Sequence, residues 1–190
     1  MADTATTTKP TLDHPIFAVL KANFPSKKFK GIEFRGMATL VVEPSDLHEV
    51  LAFLKNDSRC DFNFLSDVGA ADYLNYPAKT PGRFSVWYNL CSFARDDRFF
   101  VKTFIDASLP TDGILNDPAL TVDSACDLWP GAEWPEREVY DMFGIKFRNH
   151  PDMRRILLWE EYPGHPLRKD YPVRGRGERE SYRVVDRTSA

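Results

Sequence analysis

Glu136, Glu138 and Asp141 stand close enough in the chain for two of them to act as an acid and a base on one helix. Consecutive helical positions point about 100° apart, so Glu136 and Glu138 diverge, while Glu138 and Asp141, three apart, share a face. Asp141 is also four residues from Arg137, and that spacing predicts a structural ion pair between them, the reading preferred over catalysis. His150, Asp152 and His165 are candidate metal ligands. They fall in Pro-flanked loops without the local HxxxH spacing of a zinc site, so the expectation is hydrogen-bonding histidines. His14 and His48 read as surface histidines. Arg154, Arg155, Arg168 and Lys169 could clamp phosphate, but no glycine-rich loop opens a helix beside them. Arg174-Gly175-Arg176-Gly177 resembles an RNA-binding RGG segment, yet Glu178 and Glu180 follow at once.

Three cysteines, Cys60, Cys91 and Cys126, are scattered with no CxxC. A cluster needs several sulfurs converging on one centre, so no metal or iron–sulfur site is expected, and free thiols in a reducing compartment are. The chain has 190 residues, 43% hydrophobic and 28% charged, with a net charge of −3. That is ordinary globular composition and gives no electrostatic drive toward nucleic acid. No apolar run approaches the roughly 20 residues of a spanning helix, so membrane association is expected to be peripheral. Residues 1–135 hold 13 basic and 18 acidic side chains, and residues 136–190 hold 12 and 10. Dense, balanced charge in the second part suits ion pairing with a partner.

The elements that must position these residues read as an α+β fold. Residues 1–12 form a disordered lead-in without the features of a secretory or organellar leader. The α+β domain spans 13–120. Pro15 opens a helix to Asn23 with Ile16, Val19 and Leu20 as its apolar stripe. Strands at Lys30–Glu33 and Ala38–Glu43 flank an Arg35-Gly36 hairpin. Ser45 is the expected N-cap of a second helix carrying Leu47, Val50, Leu51 and Leu54 on one face. Strands follow at Asp61–Val68, Arg83–Phe93 and Arg98–Ile105. The order α-β-β-α-β-β-β predicts a two-layer domain with a mixed sheet and two helices on one face. A helical segment covers 121–145, with helices over Val122–Leu128, capped by Thr121, and Trp134–Phe143, closed by Gly144 at C′. Residues 146–190 form an extended partner-binding arm, because Pro151, Pro163, Pro166 and Pro172 forbid long helices.

Glu136-Arg137-Glu138, Asp141-Met142-Phe143, His150 and Arg154-x-Ile156-Leu157, in that spacing, resemble the signature of the respiratory complex I 30 kDa subunit family. Its bacterial members are the C subunits of NADH:quinone oxidoreductase. The string Gly164-His165-Pro166-Leu167-Arg168-Lys169-Asp170-Tyr171-Pro172 is similar to that family's second recurrent motif. Trp159-Glu160-Glu161-Tyr162-Pro163 departs from its usual glycine-containing lead-in. The resemblance implies a peripheral-arm subunit without a redox cofactor of its own, FMN and iron–sulfur clusters being carried by partners. It implies neighbours among subunits D, B, I and G, and a place on the cytoplasmic side of a bacterial inner membrane. Under it Glu136, Arg137, Glu138, Asp141, His150, Arg154, Arg155, His165, Arg168, Lys169 and Asp170 are interface or interface-shaping residues, not catalysts. The alternative is the equivalent subunit of a membrane-bound group 4 hydrogenase or formate-oxidising complex. A distant third reading is a freestanding enzyme using His150, Asp152 and His165.

Overall fold

The structure is a computed structural model that describes residues 14–111 and 117–178. The expected lead-in and the end of the arm, from residue 179, lie outside the described residues. Helix α1 (Pro15–Asn23) is followed by β1 (Lys30–Phe34), β2 (Met37–Val42) and α2 (Leu47–Asn56). Then come β3 (Phe64–Asp72), β4 (Phe84–Ser92) and β5 (Asp97–Ile105). The expected α+β order is present. The sheet runs β1-β2-β5-β4-β3. β2 pairs parallel to β5 and every other pair is antiparallel. A hairpin can join only antiparallel neighbours, so the parallel β2–β5 pair requires the long crossover that carries α2.

Alternation divides the sheet into two faces. Phe84, Val86, Tyr88 and Leu90 of β4 and Phe99, Val101 and Ile105 of β5 face inward and are buried. The helices cover this face through Ile16 and Leu20 of α1 and Leu47, Val50, Leu51 and Leu54 of α2, all fully buried. Each such side chain contributes roughly 1.5–3 kcal/mol. Arg35 and Gly36 both take positive φ, 53° and 75°, which matches the twist of the β1–β2 hairpin.

Two local expectations change. A 3-10 turn at Pro44–Asp46 precedes α2, and no side chain caps it. Asp46 and Glu49 instead hold Lys27 Nζ at 2.7 and 2.6 Å. β3 begins later and runs further than expected, because Asp61 turns the chain at φ 48° and pairing with β4 continues to Asp72. Gly69 permits this pairing: a Cβ there would stand 2.3 Å from the Trp87 ring.

The largest correction lies at Val122–Leu128, which is not a helix. Thr121–Asp123 forms β6, pairing parallel with β7 (Lys146–Arg148). Val122 and Phe147 are buried between them and the body, a demand that overrides local helix propensity. Between the two strands, α3 spans Glu133–Phe143 and ends at Gly144, whose φ of 75° makes it the left-handed C-cap expected. One buried cluster extends from Ile16 through Val139, Met142 and Phe143 to Phe147, so the start of the expected arm belongs to the core.

Candidate subunit interface

The signature residues converge on α3. Glu136 shares a stripe with Val139 and Phe143, three and seven residues on, and is fully buried. Its carboxylate accepts from Ser124 Oγ at 2.6 Å, the Ala125 N–H at 2.8 Å and Cys126 Sγ at 3.5 Å. No cation pairs with it among the described residues, and burial pushes it up to about 7. Burial, and then the charge of Glu136, raise the Tyr88 hydroxyl of β4, which lies on the same inner face. Burial likewise pushes the Cys126 thiol up to about 12.

Asp141 is the opposite case. It is buried too, but Arg155 Nη1 donates to Oδ1 at 2.6 Å. The N–H groups of Ile156, Leu157 and Leu158 donate to Oδ2 at 3.1, 2.8 and 2.9 Å. Burial opposes its charge, but these donors outweigh burial and hold the carboxyl below its usual range. The expected Arg137–Asp141 pair is therefore absent. Arg137 turns instead to the carbonyls of Arg154 at 3.1 Å and Arg155 at 3.0 Å, with Asp152 at 3.8 Å. An i,i+4 ion pair on a helix surface is worth a few tenths of a kcal/mol, less than charge-assisted hydrogen bonds to two backbone carbonyls.

The remaining arm residues continue this clamp. Arg155 also donates to the carbonyls of Tyr162 at 2.8 Å and Gly164 at 3.0 Å. His165 is buried and its Nδ1 donates to the Asp141 carbonyl at 2.9 Å. Burial, with Arg168 and Arg155 nearby, lowers it to about 4, so it is neutral at pH 7. Arg168 is buried and its Nε donates to the Phe143 carbonyl at 2.6 Å, satisfying the end of α3. Its Nη1 reaches the Thr111 carbonyl at 3.2 Å. The Lys169 N–H donates to Asp72 Oδ2 at 2.9 Å, while the Lys169 side chain is exposed. Asp170 meets Arg83 at 3.0 Å and accepts from the Thr111 hydroxyl.

His150 accepts from the Asp152 N–H at Nδ1 and therefore donates from Nε2 to the Glu133 carbonyl, both at 3.0 Å. Arg154 pairs with Asp152 at the surface. Glu138 is exposed, with no partner among the described residues. Away from this site, His14 caps α1 and meets Asp97 at 3.2 Å, and His48 meets Asp127. Sequence reasoning missed Ser124, Asp72, Arg83 and Thr111, which hold the motif from distant elements. For Glu136 a signal existed, because it falls on the Val139–Phe143 stripe.

Two geometries bear on cofactors. The ligand atoms of Cys126, Glu136 and His150 lie within 4.8 Å of one another. Glu136 is buried and Cys126 and His150 are partly buried, and both His150 nitrogens and both Glu136 oxygens already have hydrogen-bond partners within the chain. Cys60 and Cys91 lie elsewhere, after α2 and on the outer face of β4, so the thiols do not converge. No helix among the described residues is long and apolar enough to cross a membrane.

With many motif charges satisfied inside the chain, the outward surface mixes exposed charges such as Glu138, Arg154 and Lys169 with large apolar side chains. Trp134, Leu157, Leu167 and Val173 are 68%, 62%, 52% and 106% exposed. A groove of about 820 Å³ runs among Trp159, Tyr162, Leu167, Tyr171 and Val173.

Residues 40–177 match the family described as respiratory-chain NADH dehydrogenase, 30 Kd subunit. The chain is 42% identical over 164 residues to the C subunit of NADH-quinone oxidoreductase from Geotalea uraniireducens, spanning 86% of this chain and 90% of that one. It is 42% identical over 166 residues to NADH-ubiquinone oxidoreductase subunit 9 of Reclinomonas americana, spanning 85% and 74%. A solved trypsin-resistant fragment (1-134) of Nqo5 is similar in fold, with TM-score 0.57 and 32% identity over 72% of this chain and 97% of the fragment.

Proposed function

Because the chain belongs to the 30 kDa subunit family of respiratory-chain NADH dehydrogenases, we propose that its own part in that enzyme is structural. It is a subunit of NADH:quinone oxidoreductase. In this reading it carries no redox group, FMN and iron–sulfur clusters being held by partners. It docks beside the quinone module through the surface of α3 and the arm, against subunits D, B and I, with G nearby. Its place is peripheral, on the cytoplasmic side of a bacterial inner membrane. The relatives named above are NADH-linked chains, which favours this reading over a hydrogenase or formate-oxidising complex.

The observation that carries the proposal is the internal clamp. Asp141, Arg155, His165 and Arg168 spend their hydrogen bonds on the chain itself, fixing a segment poor in aliphatic residues against the body. They shape a surface on which Trp134, Leu157, Leu167 and Val173 are left exposed for a partner, among charges such as Glu138 and Lys169. The expectation that the arm's charges find counter-ions partly on neighbours then falls to the exposed ones, such as Glu138, Lys169 and Arg174. Apolar exposure of this kind marks protein contact sites.

Deleting the arm from Phe147 onward would remove β7 and a core side chain, so surface lesions are the cleaner test. Leu157→Asp with Leu167→Asp should leave the isolated chain's unfolding transition unchanged and deplete it from the purified complex. Normal incorporation with full NADH:quinone reductase activity would sink the docking assignment.

A further inference from the structure

The outer face of the sheet is built for contact, although no signature residue lies on it. Register places Lys30, Ile32 and Phe34 of β1 on this face, beside Met37, Thr39 and Val41 of β2. Arg98, Phe100, Lys102 and Phe104 of β5 continue it. Ile32, Phe34 and Met37 are 39%, 62% and 38% exposed. With Tyr76, Phe100 and Lys102 they line a groove of about 380 Å³. β1 is an edge strand, bonded only to β2 among the described residues, so one row of its N–H and C=O groups is free. An edge with free main-chain groups beside exposed apolar side chains is a template for another strand, and its charges, Lys30 and Glu33, limit which strand it accepts.

The charge on this face is one-sided. The outward positions of β1, β2 and β5 carry Lys30, Arg98 and Lys102 and no carboxylate, in a chain of net charge −3. None of the three is ion-paired among the described residues; Lys102 lies against the rings of Tyr73 and Phe104. Within the strands the outer positions of β4 are uncharged, and the acid Asp67 sits on β3 at the far side.

We propose that the free edge of β1 and the groove beside it receive an extended segment of a neighbouring subunit, in which carboxylates alternate with apolar side chains. Main-chain hydrogen bonds to β1 supply adhesion, the groove takes the apolar side chains, and Lys30, Arg98 and Lys102 select for acid. A second copy of this chain fits poorly, because it would set the same cations against one another. The chain's own ends fit poorly too. Residues 1–13 offer only Met1 and Leu12 as large apolar side chains, and residues 179–190 bring Arg179, Arg183 and Arg187.

The inference rests on the chain being built into the multisubunit enzyme, and the test separates the two. Amide hydrogen exchange is followed over Lys30–Phe34 in the isolated full-length chain and in the purified complex. Exchange should slow by about tenfold or more on assembly, as unpaired edge amides become strand-bonded. A benzophenone amino acid placed at Phe34 should cross-link to one Asp- or Glu-rich peptide of another subunit. Lys30→Glu with Arg98→Glu should abolish the protection while the chain stays in the complex; Lys30→Arg with Arg98→Lys should keep it. Equal exchange in both states overturns the inference alone, as does a cross-link to a second copy or to residues 1–13. Absence of the chain from the complex overturns the wider reading and this one together.

Discussion

Between Pro15 and Ile105 the chain buries aliphatic and aromatic side chains against one face of a sheet; between Glu133 and Glu178 it buries charge. Leu47, Leu51 and Leu54 hold α2 by area removed from water, a force indifferent to direction. Asp141, Arg155 and Arg168 hold the arm by hydrogen bonds that fix direction and distance. A segment with so few aliphatics cannot acquire one shape by collapse alone. The buried charges compensate by specifying where each turn must sit, and they lose far more than a leucine does when a single partner is removed.

That contrast is broken most directly at Asp141. Asp141→Ala strips the counter-charge from Arg155 and leaves three N–H groups without an acceptor. The expected cost is about 3–5 kcal/mol. Limited trypsin digestion should then release the arm while the sheet body persists. Leu51→Ala, of similar cost at roughly 2–5 kcal/mol, should instead lower the unfolding midpoint of body and arm together. If both variants expose the arm equally, the clamp is not a separate device.

The two buried titrating groups sharpen the comparison by opposing each other. Glu136 is raised from 4.5 to about 7. Its contribution is full below pH 4.5, where folded and unfolded states both hold the proton, and is lost as pH rises through 7. His165 is lowered from 6.5 to about 4. Its contribution is full above pH 6.5 and is lost as pH falls through 4. Each gap is worth on the order of 3 kcal/mol, so in the intact chain they offset across the acid range. Glu136→Gln should unmask a stability that climbs from pH 4 to 6.5. His165→Gln should unmask one that declines from pH 4.5 to 7. Urea midpoints measured across this range, with the same slope in both variants, would contradict the assignment.

Gly144→Ala comes next. At φ 75° an alanine is strained, and its Cβ would stand 2.3 Å from Arg168 Nη2 and 2.6 Å from the His165 ring. A loss of about 1–3 kcal/mol is expected, with Arg168 displaced from the Phe143 carbonyl. Thermal unfolding followed with trypsin sensitivity at Arg168 would show whether strain and release travel together.

The body was the more legible half because its forces are periodic. The α1 stripe, the α2 face and the alternation of β4 each follow from spacing, and a mixed sheet follows from the passage through α2, although that passage leads to β3 and does not itself say that β2 pairs with β5. The clamp was not legible because its partners are set by three-dimensional closure. Asp141 meets Arg155 fourteen residues away, where spacing on one helix pointed to Arg137. β6 was unreadable for the same reason: three residues reveal a strand only when Lys146–Arg148 returns beside them after α3. Gly144 bridged the two halves, since a left-handed cap is a local property.

The smallest effect on folding is expected where the arm's charges do face outward. Among the described residues Arg154 pairs with Asp152 alone, at the surface, and Glu138 has no partner. Removing either leaves no buried group unsatisfied, and exposed ion pairs are screened by water and salt. Arg154→Ala and Glu138→Ala should therefore leave the urea midpoint of the isolated chain unchanged within error. Glu138 stands one helical turn from exposed Trp134, on the face of α3 left open by the clamp. A rim charge acts on association more than on affinity, and in a salt-dependent way. Glu138→Arg should thus slow incorporation into the complex at low ionic strength and converge with the unaltered chain at high salt. If Glu138→Arg instead destabilises the isolated chain and assembles normally, the outward face of α3 belongs to the clamp, and the division between inward charge and outward docking surface fails there.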